Sequence, residues 1–145
     1  MISKSNSYEK AELLSQREKD FYKKLFIVAD KFNYTVIAKI RLADLVNVND
    51  NIMKNSSEWW SKFNKISRKH IDFALAQKDD LSIKLLIELD DSTHNASDRQ
   101  DRDAFVDSVC QQANIPILHV WNANNLEEKI AKAVENFSSK KFLNN

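Results

Sequence analysis

KHIDFALAQKDDLSIKLLIELD, residues 69–90, is the stretch that decides the fold. Two runs rich in apolar residues, Lys69 to Ala76 and Ile83 to Asp90, flank the polar turn Gln77-Lys-Asp-Asp80, the pattern of a β-hairpin. Successive side chains of a strand point to opposite faces. In the second run Ile83, Leu85, Ile87 and Leu89 therefore share one face, and Lys84, Leu86, Glu88 and Asp90 the other. In the first run His70 and Asp72 share a face, opposite Ile71 and Phe73. An in-register hairpin then brings Asp72, Glu88 and Asp90 together near one end of the sheet. Taken alone, Glu88-Leu-Asp-Asp91 reads as a strand end and a turn. Asp72 shifts the balance, because it interrupts the otherwise apolar Ile71 to Leu75, where an unpaired buried carboxylate is costly. Three carboxylates in one place repel each other unless protonated or holding a cation. Hard oxygen ligands of this kind suit Mg²⁺ or Mn²⁺.

Working outward, Ser15 opens a helix to about residue 32, with Phe21, Leu25, Val28 and Phe32 at helical spacing. Ser15-Gln-Arg-Glu18 has the form of a capping box, yet Glu18 also continues the stripe of Phe21 and Leu25 and can point towards the sheet. Thr35 to Leu42 is β-rich and reads as a strand, and the polar stretch 47–55 as a loop. Ser57 begins a short amphipathic helix whose Trp59, Trp60, Phe63 and Ile66 have core spacing rather than that of a base-stacking platform. Downstream, a helix is predicted from Ala96 to Ala113 with Phe105, Val106, Val109 and Cys110 inward, then a short strand from Pro116 to Trp121. Asn125 is read as capping a last helix to about Phe137, with a frayed tail from Ser138. The predicted order describes one α/β domain over 1–145, core about 13–137: a mixed central sheet of about four strands flanked by helices.

Composition narrows the function classes. With 145 residues the chain is one domain long, and its net charge of +1 lacks the global basic excess of many nucleic-acid binders. Polyanion binding then has to come from a local patch. Glycine is absent altogether, which excludes a Gly-rich phosphate loop of P-loop or Rossmann type. Asparagine is expected to replace it at left-handed cap positions, at Asn33 and Asn114. The single cysteine, Cys110, has no intramolecular partner and points to a reducing compartment, as a buried core thiol. No apolar run approaches ~18 residues and the N-terminus lacks a signal-peptide core, so a cytoplasmic protein without a membrane partner is expected.

Taken jointly, several motifs are fairly specific: Leu14-Ser-Gln-Arg-Glu18, Ala38-Lys-Ile-Arg-Leu-Ala-Asp44, Lys69-His-Ile-Asp-Phe73, Ile87-Glu-Leu-Asp-Asp-Ser-Thr-His94 and Arg102-Asp103. Over about Leu13 to Trp121 the chain resembles a bacterial family of unknown function placed in the PD-(D/E)XK, or restriction-endonuclease-like, nuclease superfamily. Within that superfamily the family it resembles lies near the very-short-patch-repair endonuclease-like proteins. The resemblance implies a restriction-endonuclease-like fold, with Asp72 and Glu88 as metal-binding acids and Glu18 as the helix-borne acid. It also implies a Mg²⁺- or Mn²⁺-dependent endonuclease that hydrolyses phosphodiester bonds, with DNA as the partner.

One departure bears on the chemistry. The superfamily pattern is Glu-x-Lys, whereas this chain has Glu88-Leu-Asp90. An aspartate can hold a metal but cannot stabilise developing negative charge as a lysine does; Lys39, on the preceding strand, is a candidate replacement. His94, after the acidic turn, is a candidate general acid or phosphate contact, or else a helix-entry hydrogen bonder. Arg99 and Asp103 form an i,i+4 pair, which is either a solvated salt bridge or, with Arg102, a phosphate-binding or site-orienting group. His70 reads as structural and His119 as a satisfied core histidine. The rival expectation is a catalytically degenerate nuclease-fold module that binds nucleic acid or a protein partner.

Overall fold

The computed structural model describes residues 5–91 and 96–143. Its elements are α1 (Gln16–Lys31), β1 (Tyr34–Arg41), α2 (Leu42–Leu45), α3 (Ser57–Ser67), β2 (His70–Gln77), β3 (Ile83–Leu89), α4 (Ala96–Gln112), β4 (Ile117–Val120) and α5 (Leu126–Leu143). The strands form one open sheet in the order β1-β2-β3-β4. β1, β2 and β3 run antiparallel as a meander, and β4 joins β3 in parallel after α4 has crossed over. This is the mixed α/β architecture expected of the sequence. Among the described residues no helix is long and apolar enough to cross a membrane.

Two apolar layers sandwich the sheet. On one side Phe21, Leu25 and Ala29 of α1 and Leu126 and Ile130 of α5 pack on Phe73, Leu75, Leu85, Ile87, Leu89 and Val120. On the other, Leu42 of α2, Ile66 of α3 and Val106 and Cys110 of α4 cover Ile71, Ala74 and Leu86. Each large apolar side chain so buried contributes roughly 1.5–3 kcal/mol, and this fixes which end of each strand meets which helix. Trp59 stacks on Phe63, ring centroids 5.1 Å apart, as their helical spacing suggests.

Two boundaries and one local feature differ from the sequence reading. Leu42 leaves the strand and starts the single turn α2: its N–H still reaches Lys69 O at 2.8 Å, but Arg41 and Asp44 then pair at i,i+3. The last helix continues through Leu143, since nothing from Ser138 to Leu143 is a proline or glycine that would stop it. The third difference is local and shapes the site. Ile71 packs with Ala74 rather than with Phe73, and Ile40 packs with Ile37 rather than with Ala38. Strict alternation therefore fails at Lys39 and Asp72, where both strands roll over. Lys39 has a φ of 54°, a left-handed conformation inside a strand.

That conformation is uncommon for a residue with a Cβ and costs on the order of 1–3 kcal/mol. Elsewhere the glycine-free chain assigns it mostly to asparagine: Asn33, Asn55, Asn114 and Asn125 all have positive φ, and Asn33 and Asn114 follow α1 and α4 as expected.

Candidate active site

The site is a row across the sheet. Ala38 pairs with Phe73 and Ile40 with Ile71, so Lys39 stands opposite Asp72. Phe73 pairs with Ile87, so Asp72 in turn lies opposite Glu88. Glu88 pairs with His119 in the parallel register. Four strands thus contribute Lys39, Asp72, Glu88 and His119 in order. The first turn of α1 lies over the same end of the sheet, and the cleft between them, about 650 Å³, is lined by Glu18, Asp72, Glu88, Asp90, Asp91 and Asp103 with Arg17 and Arg102. The clustering of Asp72, Glu88 and Asp90, with Glu18 close by, is as the sequence predicts.

Each acid is held differently. Asp72 Oδ2 accepts the Leu89 backbone N–H at 2.8 Å, a rung that β2 does not supply with a carbonyl where the strand rolls over. Its Oδ1 lies 3.9 Å from Lys39 Nζ, and Lys39 Nζ is 2.7 Å from Glu18 Oε2. Glu18 Oε1 accepts the Ser15 N–H at 2.8 Å, while the Ser15 hydroxyl accepts the Glu18 N–H at 3.2 Å. Glu18 therefore plays both roles open to it in the sequence: one oxygen closes the capping box and the other anchors Lys39 in the site. Burial opposes its ionisation, but the hydrogen bonds from Lys39 and Ser15 and the Lys39 charge outweigh that and hold its carboxyl below the usual value.

Glu88 is the anomaly. It is 7% exposed, the one buried polar or charged residue among those described, and its Oε1 has no hydrogen-bond partner there. Burial, and then the neighbouring charge of Asp72, push its pKa up to about 8; Arg102 and His119 pull the other way without cancelling this. A buried polar atom without a partner is a costly exception that calls for a cause.

On the other side of Glu88, His119 is fixed between two aspartates. Its Nε2 lies 2.8 Å from Asp107 Oδ1 and its Nδ1 3.4 Å from the Asp90 carboxylate. Burial lowers its pKa, yet the hydrogen bonds and charges of Asp107 and Asp90 prevail and raise it. Arg17 donates to Asp90 O at 2.6 Å and to Trp121 O at 2.7 Å, tying the ends of β3 and β4 to α1. Arg102 donates to His70 O at 3.2 Å, so it braces the start of β2 at the cleft wall.

Arg17 and Asp107 escaped the sequence reading, and His119, read from the sequence as a satisfied core histidine, instead stands half-buried beside the cleft with two aspartate partners. His119 interrupts Ile117-Leu-His-Val120 just as Asp72 interrupts its own strand, and that signal was available; its partners depend on the parallel register. The alternation that placed His70 on the face of Asp72 is broken by the roll between them, and His70 is exposed and absent from the cleft lining. His94 lies outside the described residues, as does the side chain of Arg99, which α4 includes.

Residues 10–137 match a family described as Protein of unknown function (DUF2726), and the chain belongs to that family. No curated protein and no solved structure matches it.

Proposed function

We propose that this chain is a metal-dependent phosphodiesterase that cleaves DNA, a nuclease of the PD-(D/E)XK kind. The observation that carries the reading is the orphaned Oε1 of Glu88, buried beside Asp72 at the floor of an acidic cleft. A carboxylate pair of this kind, short of donors, fits a hard divalent cation. Asp72 and Glu88 would hold Mg²⁺ or Mn²⁺, with Asp90 at the cleft wall to complete the shell. Bound there, the metal supplies a water of lowered pKa and polarises a phosphate oxygen.

The protein's own groups support that chemistry. Lys39 takes the place of the lysine missing from Glu88-Leu-Asp90: it reaches the row from β1, held by Glu18 at 2.7 Å and facing Asp72. An ammonium fixed by a half-buried partner is available to developing negative charge without reorganising. Beyond the cleft wall braced by Arg102, a second hollow of about 610 Å³ is lined by Lys65, Arg68 and Lys69. Among the described residues none of these three forms an ion pair. They supply the local positive patch that a net charge of +1 requires for binding a phosphate backbone. The cytoplasm is the proposed compartment, in keeping with the lone buried thiol of Cys110.

A second reading, a binding module that has lost its chemistry, is favoured by one feature: Lys39 is already neutralised by Glu18. Cleavage of plasmid, linear and single-stranded DNA with Mn²⁺ decides between them. The nuclease reading expects cleavage by the wild type and none by Glu88→Ala; equal residual cleavage in both, or none with any divalent metal, refutes it.

A further inference from the structure

The two tryptophans of α3 are placed differently. Trp59, partly buried, stacks on Phe63 with ring centroids 5.1 Å apart, whereas Trp60 stays 45% exposed. The Trp60 ring stands edge-on to both, 4.8 Å from Trp59 at 89° and 5.9 Å from Phe63 at 86°. That packing holds an exposed indole in one orientation, so a partner that stacks on it meets a smaller entropy cost. A single exposed aromatic is ordinary in itself. Its neighbours give this one a partner.

Residues four apart lie side by side on a helix. Trp60, Asn64 and the C-cap Arg68 therefore form one row on the face away from Phe63 and Ile66, and Ser61 and Lys65 form the next. Ser61, Asn64, Lys65 and Arg68 also line the hollow of about 610 Å³, together with Lys69 and with Phe105 of α4. That lining has three cations and, among the described residues, no acid, so it is complementary to a phosphate backbone. Lys69 precedes His70, whose carbonyl accepts from Arg102 at 3.2 Å, and Arg102 lines the acidic cleft. The aromatic row, the hollow and the cleft thus follow one another.

We propose that this face holds single-stranded DNA, with an unpaired base stacked on Trp60 and the backbone running through the cationic hollow towards the cleft. A positive groove with aromatic rings beside it is how unpaired strands are held without sequence preference. A duplex fits less well, because its bases are already stacked and offer only their edges in the grooves. A helix that reads those edges has to protrude, whereas this face of α3 is the wall of a hollow. The choice of DNA rests on the nuclease reading, which leaves the strand form open.

Fluorescence anisotropy of the full chain with chelator present tests this, on one labelled sequence of about 20 nucleotides, single-stranded and as a duplex. Without metal no cleavage intervenes, so binding is read whether or not the chain is a nuclease. The wild type should bind the single strand at least tenfold tighter than the duplex. Trp60→Leu, which keeps an apolar side chain but no ring, should lose roughly 5- to 150-fold on the single strand, the range of one stacked base, with duplex affinity unchanged. Trp60→Phe should restore most of that loss. Stacking quenches indole emission, so the single strand should also dim wild-type fluorescence, and Trp60→Phe should lose that quenching. Duplex bound as tightly as the single strand, or Trp60→Leu that binds as the wild type does or loses equally on both forms, overturns the single-strand site and leaves cleavage at the Asp72–Glu88 pair untouched. Single-strand binding of this kind with no cleavage under any divalent metal refutes the nuclease reading alone.

Discussion

Glu88→Gln should remove most of the pH dependence of stability in metal-free protein. The side chain is buried, and its pKa is raised from 4.5 to about 8 by burial and by Asp72, with Arg102 and His119 opposing. For an acid with a raised folded-state value, the folded chain binds more protons than the unfolded one throughout that window. Stability is therefore highest below the unfolded pKa and falls as pH rises towards the folded one. Between pH 5 and pH 8 those two values correspond to a loss of roughly 3–4 kcal/mol from this residue. Glutamine reproduces the shape of the protonated acid and does not titrate, so the variant should match the wild type near pH 5 and exceed it near pH 8. Urea denaturation with chelator present, at both pH values, reads the difference. With a slope of about 2 kcal/mol/M, the gap between the midpoints should widen by roughly 1.5 M. A gap constant to within about 0.5 kcal/mol would show that Glu88 ionises at ordinary pH in the fold, and the argument from its burial would collapse.

Asp72 separates structure from chemistry: Asp72→Asn keeps an acceptor for the Leu89 N–H, whereas Asp72→Ala orphans that donor and should cost about 1–3 kcal/mol more. Both should lose stabilisation by Mn²⁺ in thermal melts; equal stability of the two variants would refute the acceptor role. Reversing charge at Lys65, Arg68 and Lys69 together should weaken DNA binding at least tenfold and flatten its dependence on salt, with Mn²⁺ affinity unchanged. Fluorescence anisotropy at two salt concentrations tests this, and an unaltered salt slope would take the DNA path away from that face.

How much of this was legible from sequence depended on how local each signal was. The hairpin was readable because its turn and its two apolar runs are contiguous, and that register alone brings Asp72 opposite Glu88. Asn33 and Asn114 were readable as left-handed caps because a chain without glycine has few other residues for the task. His119 reads from the sequence as a core histidine rather than a site residue, because its place beside Glu88 depends on a parallel pairing made across the whole of α4. Arg17 was hidden for a different reason. It sits in the middle of a capping box whose other residues explain the sequence, and its partners are backbone carbonyls 73 and 104 residues away.

Lys39 joins the strain of the fold to the chemistry of the cleft. Its position in β1 requires a left-handed backbone, which asparagine fills at four other places among the described residues. Asparagine would accommodate the roll at lower cost but would bring no cation to a cleft whose lining, among the described residues, holds six acids and two arginines. Lysine supplies the charge and meets the conformational cost through partners on both sides: Glu18 at 2.7 Å from α1, and Asp72 at 3.9 Å across the strand pair. The roll at this row also leaves the Leu89 N–H to the Asp72 side chain. The irregularity of the sheet and the convergence of Glu18, Lys39, Asp72 and Glu88 thus have one origin. A regular strand would pair these backbones more completely and lose the geometry that brings the acids and the ammonium together.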